Sequence, residues 1–161
     1  MEPSVCRDRL SQLIAEEASA LDELAVLLER ERECLTANDV TALDATIRQR
    51  QRCVGRVLRA DDARRALCQE LGRPLDLSGL EQVLRWCDPQ GTLAAGWKRC
   101  AAAAARCRTL NDANSALVGA RLKHVQARLA ALMRDRGEPV TYGRQGSYAA
   151  GRLGRVVRTE V

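Results

Sequence analysis

Phenylalanine is absent from this 161-residue chain, which contains only two tryptophans, two tyrosines and one histidine. Alanine and leucine make up most of its apolar residues, and both are common in packed helices. Valine and isoleucine recur at helical spacing and do not alternate with polar residues as they would in strands. These absences exclude a sheet-based core and predict an all-α fold. A chain of this length holds one domain, or one domain with a flexible end.

A long apolar run is also missing. No stretch approaches the roughly 20 consecutive apolar residues that cross a bilayer, and the nearest candidate, residues 101–105, is flanked by Arg99 and Arg106. The first ten residues become charged at Arg7 and lack the apolar centre of a signal peptide. We therefore expect a cytoplasmic protein without stable membrane insertion.

Catalytic and metal-binding patterns are missing as well. Seven cysteines occur without a CxxC pair, and their odd number argues against a disulfide framework. His124 is the single histidine and has no partners at ligand or triad spacing. The sequence contains no Gly-rich phosphate loop, nucleophile elbow or paired-carboxylate site. We therefore expect a non-enzymatic protein that uses no metal and no cofactor, with cysteines that pack in helix seams.

The net charge of +5 is unevenly distributed. Residues 1–135 hold 21 basic and 19 acidic side chains, whereas residues 136–161 hold five arginines and two glutamates. A nucleic-acid-binding groove needs basic side chains gathered on one face, and a basic tail does not provide one. We expect no nucleic-acid partner; the contrary hypothesis predicts binding that weakens steeply with salt.

Helical periodicity is the strongest positive signal. In the first segment, apolar residues recur at alternating steps of three and four, interrupted only by Glu17 and Glu31. This first stripe consists of Leu10, Ile14, Leu21, Leu24, Leu28 and Leu35. Asn38 and Asp39 then predict a turn and the cap of a second helix, which forms an antiparallel hairpin with the first. The second stripe consists of Val40, Leu43, Ile47, Val54, Val57, Cys68 and Leu71.

Two more helices are predicted after Gly72 and Pro74, which end the second one. A short helix is expected to be capped by Ser78, with Glu81 completing a capping box. The long last helix has the stripe Leu93, Trp97, Cys100, Ala104, Cys107, Leu110, Leu117, Val118, Val125, Leu129 and Leu132. The predicted fold is an elongated antiparallel bundle of three long helices, about 4–36, 39–71 and 92–135, plus one short helix, about 78–87.

Residues 136–161 are predicted to form a flexible C-terminal tail outside the helical bundle of residues 1–135. Five glycines and one proline fall within this segment, which by itself has too little apolar surface to form a core. The tail nevertheless keeps apolar and aromatic side chains that are suited to contact a partner. These candidate partner-binding residues are Val140, Tyr142, Tyr148, Leu153, Val156 and Val157.

Two short motifs, together with the order of the helices, resemble the FlgN family over nearly the whole chain. NDANSALV at 111–118 is similar to an Asn-x-x-Asn-Gly element in the last helix of that family, with Ser115 in place of the usual glycine. TYGRQG at 141–146 is similar to the Tyr and Gly element of the family's tail. Asn111 and Asn114 either fix helix register across the bundle or contact a client directly.

The resemblance implies a type III flagellar export chaperone. Such a protein is expected to bind the C-terminal helical regions of the hook-filament junction proteins FlgK and FlgL, to prevent their premature assembly and to deliver them to the flagellar export gate. The resemblance also implies that the tail residues named above form the client-binding and gate-docking part. The alternative is a structural coiled-coil adaptor that assembles permanently with itself and releases no client.

Overall fold

The computed structural model describes residues 1–135, 141–142 and 148–149, with side chains described as far as residue 134. These residues form four helices, α1 (Pro3–Ala37), α2 (Val40–Glu70), α3 (Leu77–Cys87) and α4 (Ala94–Asp135), and two short strands, β1 (Thr141–Tyr142) and β2 (Tyr148–Ala149). The predicted all-α fold with three long helices and one short helix is confirmed. The backbone forms two compact units, Met1–Ala116 and Leu117–Val161.

Helix α1 carries the apolar face around which the first unit is built. Residues spaced by three and four positions lie on one side of a helix, and most of the predicted stripe of α1 is buried for that reason. The buried members are Leu10, Ile14, Leu21, Leu28 and Leu35. Because a fully buried side chain of this size contributes about 1.5–3 kcal/mol, this face supplies a large part of the stability of the first unit.

Helix α2 runs antiparallel to α1, as predicted. Arg9 near the start of α1 forms an ion pair of 3.0 Å with Glu70 at the end of α2. Further along α1, the thiol of Cys53 donates a hydrogen bond of 3.1 Å to the carbonyl oxygen of Ala20. Residue numbers therefore fall along α2 as they rise along α1, and the helices approach closely enough for a side chain of one to reach the backbone of the other.

The buried face of α2 differs from the predicted stripe. Its buried residues are Thr46, Cys53, Ala60, Leu67 and Cys68. Val40 and Val54, which the sequence placed in the seam, are exposed. Thr46 tolerates burial because its hydroxyl donates to the carbonyl oxygen of Ala42 at 2.8 Å. Small and half-polar side chains at seven-residue spacing form much of this seam, and a search for large apolar residues overlooks them.

Helix α4 lies beside α1 in the first unit and runs parallel to it. Arg99 forms an ion pair of 2.6 Å with Asp22, and Arg106 forms one of 2.7 Å with Glu29. Residue numbers therefore rise together along the two helices. Helix α1 is thus the central helix of an up-down-up bundle, in contact with α2 on one side and with α4 on another.

The turn between α1 and α2 follows the prediction. Asn38 has a positive φ of 58°, a conformation that asparagine tolerates better than most residues. Asp39 caps α2 by accepting a hydrogen bond of 2.9 Å from the amide of Ala42. Gly72 follows α2 with a φ of 61°, which only glycine adopts without cost. These residues set the tight connections of the bundle.

Asp76 caps the start of α3, and the prediction that Ser78 does so is wrong. Asp76 caps α3 by accepting hydrogen bonds from the Gly79 amide at 3.1 Å and from the Ser78 hydroxyl at 2.9 Å. A carboxylate also interacts with the positive end of the helix dipole, which favours it over a hydroxyl, and these bonds lower the pKa of Asp76. Asp88 directly follows α3 and accepts a hydrogen bond of 2.7 Å from the amide of Leu93 across the loop that leads to α4.

Glu17, which interrupts the α1 stripe, lies buried in a small polar network. Its carboxylate pairs with the guanidinium of Arg64, which also pairs with Asp61. The same guanidinium lies 5.0 Å from the centre of the Trp97 ring on α4. Burial raises the pKa of Glu17, and the charge of Arg64 opposes that rise. One arginine of α2 thus contacts both α1 and α4.

All seven cysteines are free and buried. Burial raises the pKa of the Cys6 thiol to about 12 and that of the Cys100 thiol to about 11. Both thiols are therefore neutral at pH 7 and pack as small, weakly polar side chains, in agreement with the expectation that the cysteines occupy helix seams.

Replacing Leu28 by alanine is expected to lower the free energy of unfolding by about 3 kcal/mol, because the change leaves a cavity in the buried face of α1. Val26 lies two residues earlier and is 62% exposed, so Val26→Ala is a matched control with an expected change within about 0.5 kcal/mol. Urea unfolding followed by circular dichroism measures both. Equal losses in the two variants would contradict the assignment of this face.

Candidate functional site

Asn114 lies buried where α4 contacts α1. Its side-chain amide donates to the carbonyl oxygen of Leu28 at 2.9 Å and to the carboxylate of Glu31 at 3.4 Å. Its own carbonyl oxygen is buried and has no partner among the described residues. Leaving this buried oxygen without a partner lowers stability, and a leucine at position 114 would avoid that loss. The asparagine therefore contributes more to the correct alignment of the two helices than to stability. The geometry favours the register interpretation for Asn114.

Asn111 is exposed and lies one helical turn earlier on α4. Its side-chain oxygen accepts a hydrogen bond of 3.4 Å from Arg50 of α2. The same guanidinium forms an ion pair of 3.3 Å with the buried Glu31. Asn111, Asn114, Arg50 and Glu31 therefore connect all three long helices. A direct contact between Asn111 and a client stays a prediction.

The second unit contains a continuous row of exposed apolar side chains on α4. This α4 row consists of Val118, Leu122, Val125, Leu129 and Leu132, which are between 42% and 62% exposed. The residues follow steps of four, three, four and three, so they lie on one side of the helix. Fourteen residue steps at 1.5 Å per residue make the row about 21 Å long, or roughly four helical turns.

The prediction that Val118, Val125, Leu129 and Leu132 lie in the bundle seam is wrong, because the structure exposes all four. Leu122 belongs to the same row and was absent from the predicted stripe. The lengths of the helices could have indicated that part of the α4 stripe is exposed. Helix α4 has 42 residues whereas α1, beside which it lies, has 35, so an apolar stripe along the whole of α4 is longer than α1 can cover.

An isolated exposed apolar side chain is ordinary, but an ordered row of five is not. Side chains at heptad spacing form the surface onto which a second amphipathic helix packs, with its own side chains between them. The row therefore has the chemistry of a helix-binding surface. It contains no acid, base or nucleophile that would act on a substrate.

The predicted partner-binding residues of the tail fall mainly outside the described residues. Val140, Leu153, Val156 and Val157 lie outside them entirely. For Tyr142 and Tyr148 the backbone alone is described, and these two residues pair directly across the antiparallel strands β1 and β2. This strand pairing was not predicted from the sequence. The role of all six residues in binding stays a prediction.

Within residues 1–134, no group of three or more histidine, cysteine, aspartate or glutamate side chains is placed to hold a metal ion. The described helices also include none that is both long and apolar enough to cross a membrane. A surface groove between α1 and α2 is lined by alanines and by polar residues that include Glu16, Arg56 and Arg59. Arg56 already pairs with Glu23, so that groove does not present a convergent catalytic set.

An exposed row of apolar side chains at heptad spacing, such as the α4 row, is typical of a surface onto which another helix packs. Comparison with known families gives the particular assignment. The family model described as FlgN protein matches residues 1–150, and the chain therefore belongs to the FlgN family, a family of flagellar export chaperones. No curated protein and no solved structure matches the chain.

Replacing both Leu122 and Leu129 by serine is expected to change the free energy of unfolding by less than about 1 kcal/mol, because these side chains are already exposed and only helix propensity is lost. Leu21→Ser, in the buried face of α1, is the comparison and is expected to cost more than about 3 kcal/mol. Urea unfolding measures each variant. A loss in the double variant as large as that of Leu21→Ser would show that the α4 row is part of the core.

Proposed function

We propose that this protein is a cytoplasmic chaperone of flagellar export whose clients are the hook-filament junction proteins FlgK and FlgL. It binds the C-terminal helical regions of these proteins, prevents their premature assembly and delivers them to the export gate. The observation that carries the proposal is the exposed α4 row in a chain of the FlgN family. No chemical reaction is needed for this function.

A client helix gains most from the α4 row if it presents its own apolar side chains at the same heptad spacing. When the client helix packs on the α4 row, the apolar side chains of both helices are removed from water. The covered client side chains are then also protected from premature contacts with other subunits. Each half-exposed side chain buried in this way contributes about 1 kcal/mol, and part of the total offsets the loss of freedom on association. Because the client must later be released, we expect an affinity between micromolar and nanomolar, to which the α4 row contributes only a part.

The tail supplies the second part of the proposed interface. Val140, Tyr142, Tyr148, Leu153, Val156 and Val157 contact the client or the export gate in this proposal. Tyrosine gives a large contact area at a small entropic cost, which suits a partner-binding segment. The α4 row and the tail follow each other along the chain, so one client helix can engage both.

A permanent self-assembling adaptor is the second candidate, because a heptad row can also pair with a copy of itself. This candidate requires the free chain to be an oligomer at nanomolar concentration. The chaperone proposal requires the α4 row to be free for a client at the same concentration. Analytical ultracentrifugation of the purified chain separates the two, and an obligate oligomer that persists when a client is added would exclude the chaperone proposal.

The direct test is binding of the full chain to the C-terminal segments of FlgK and FlgL, measured by calorimetry. Leu122→Asp combined with Leu129→Asp is expected to weaken binding at least about a hundredfold, since charged groups cannot be desolvated against an apolar client. Val26→Asp on α1 is the control, because Val26 is an apolar side chain that is also exposed but lies outside the row. It is expected to leave binding within about twofold.

Tyr142→Ala and Val156→Asp test the tail in the same assay, and each is expected to weaken binding by about tenfold. Failure of both client segments to bind the unaltered chain would overturn the proposed function. Binding that is lost equally in the row variant and in Val26→Asp would remove the α4 row from the proposal.

A further inference from the structure

We infer that the C-terminal tail folds back in the free chain and packs its strand pair, β1 and β2, on a second side of α4 beside the α4 row. This side, the Ala130 strip, consists of Gln126, Ala130 and Met133. The packed tail forms one flank of the surface that a client helix meets. That last step rests on the proposed function, whereas the packing itself does not.

Ala130 is buried although the neighbouring alanines of α4 are exposed. Its exposed fraction is only 8%, whereas Ala127 and Ala131 are both exposed. An alanine that has only its own helix around it stays exposed, as these two residues show. Ala103 has the same exposed fraction of 8% because it packs in the hydrophobic core of the first unit. Ala130 is therefore covered by residues that do not belong to α4.

The covered side of α4 is a strip and not a single residue. Gln126 lies four residues before Ala130 and Met133 lies three residues after it, so the three share one side of the helix, and both neighbours are partly buried. At about 100° per residue, the strip lies roughly 90° from the centre of the α4 row. A cover in this position borders the row and leaves it open, in agreement with the exposure of the row.

The tail is the segment that supplies this cover. The structure is that of a single chain, and Ala130 belongs to the compact unit Leu117–Val161, in which every residue outside α4 follows Asp135. Residues 136–140 connect α4 to β1 and span up to about 17 Å when extended. Ala130 lies only about 7.5 Å before the end of α4, so a tail that turns back brings the strand pair to it.

The strand pair and the strip also match in chemistry. A lone pair of antiparallel strands is only marginally stable in water and needs a helix or further strands beside it. Tyr142 and Tyr148 lie directly opposite each other, and side chains of residues paired in this way share one face of the strands. A small side chain such as that of Ala130 leaves room for an aromatic ring, and the thioether of a methionine such as Met133 makes favourable contacts with one.

A client helix that packs on the α4 row then contacts the tail along one flank. The row supplies the apolar floor of the surface, and the strand pair supplies a wall that is in place before the client arrives. Because this wall is already formed, binding bears a smaller ordering cost than it would with a loose tail. The inference thus refines the proposed function, in which the row and the tail contact the same client.

NMR of the full chain tests the packing directly, because the sequence contains only two tyrosines and two methionines and no phenylalanine. Tyrosine ring protons and methionine methyl protons therefore give few signals. We expect nuclear Overhauser effects, which require close contact, from a tyrosine ring to the methyl groups of Ala130 and Met133 in the free chain. Their absence would overturn the inference.

Two substitutions of neighbouring alanines locate the contact. Ala130→Glu adds a bulky charged side chain to the strip and is expected to abolish these Overhauser effects, because it displaces the tail. Ala131→Glu adds the same side chain at an exposed position and is expected to leave them intact. Glutamate is nearly as good a helix former as alanine, so α4 is retained in both variants, which circular dichroism checks. Overhauser effects that persist in Ala130→Glu, or that vanish in both variants, would also contradict the packing.

Calorimetry with the C-terminal segments of FlgK and FlgL tests the client flank separately. Ala130→Glu is expected to weaken binding by about tenfold, and Ala131→Glu by less than about twofold. Equal affinities of the two variants would remove the flank from the inference. Overhauser effects without binding of either segment would leave the packing standing and remove the proposed clients. Binding without the Overhauser effects would keep the clients and remove the packing.

Discussion

The packing of α1 against both α2 and α4 is the constraint on which the rest of the first unit depends. A single helix with apolar residues at steps of three and four supplies the buried face for two neighbours, and the buried carboxylates of Glu17 and Glu31 are each paired with an arginine of α2. Breaking such a buried pair costs far more than the pair itself contributes, so these contacts fix one alignment of the helices. Asn114 adds a contact to the Leu28 backbone that only the correct register provides.

The proposed function depends on the part of α4 that belongs to the second unit. The heptad pattern continues there without interruption, but its large apolar side chains are exposed. A helix can keep such a row exposed because its backbone hydrogen bonds are satisfied within the helix, so exposure leaves no unpaired polar group. The proposed partner surface is therefore preformed on the helix, and in the proposed complex a client helix would bear most of the ordering cost.

Helix boundaries were largely predictable because local chemistry sets them: Asn38, Asp39 and Gly72 act through their own backbone and side chains. The cap at Asp76 was missed because Ser78 also fits the capping pattern, and only the hydrogen bonds decide between them. The seam of α2 was predicted less well, since Thr46 and Ala60 are buried while Val54 is exposed. The α4 row was predicted as part of the seam, because periodicity reveals which residues share a face of a helix but not what covers that face.

The most direct test of the central claim is hydrogen-deuterium exchange of the full chain, free and saturated with a bound C-terminal client segment. If the client helix packs on the α4 row, amides of residues 117–135 should exchange at least about tenfold more slowly in the complex, because binding suppresses local opening of that helix. Amides of α2 should change little. Unchanged exchange across residues 117–135, with protection appearing on α1 or α2 instead, would contradict the account.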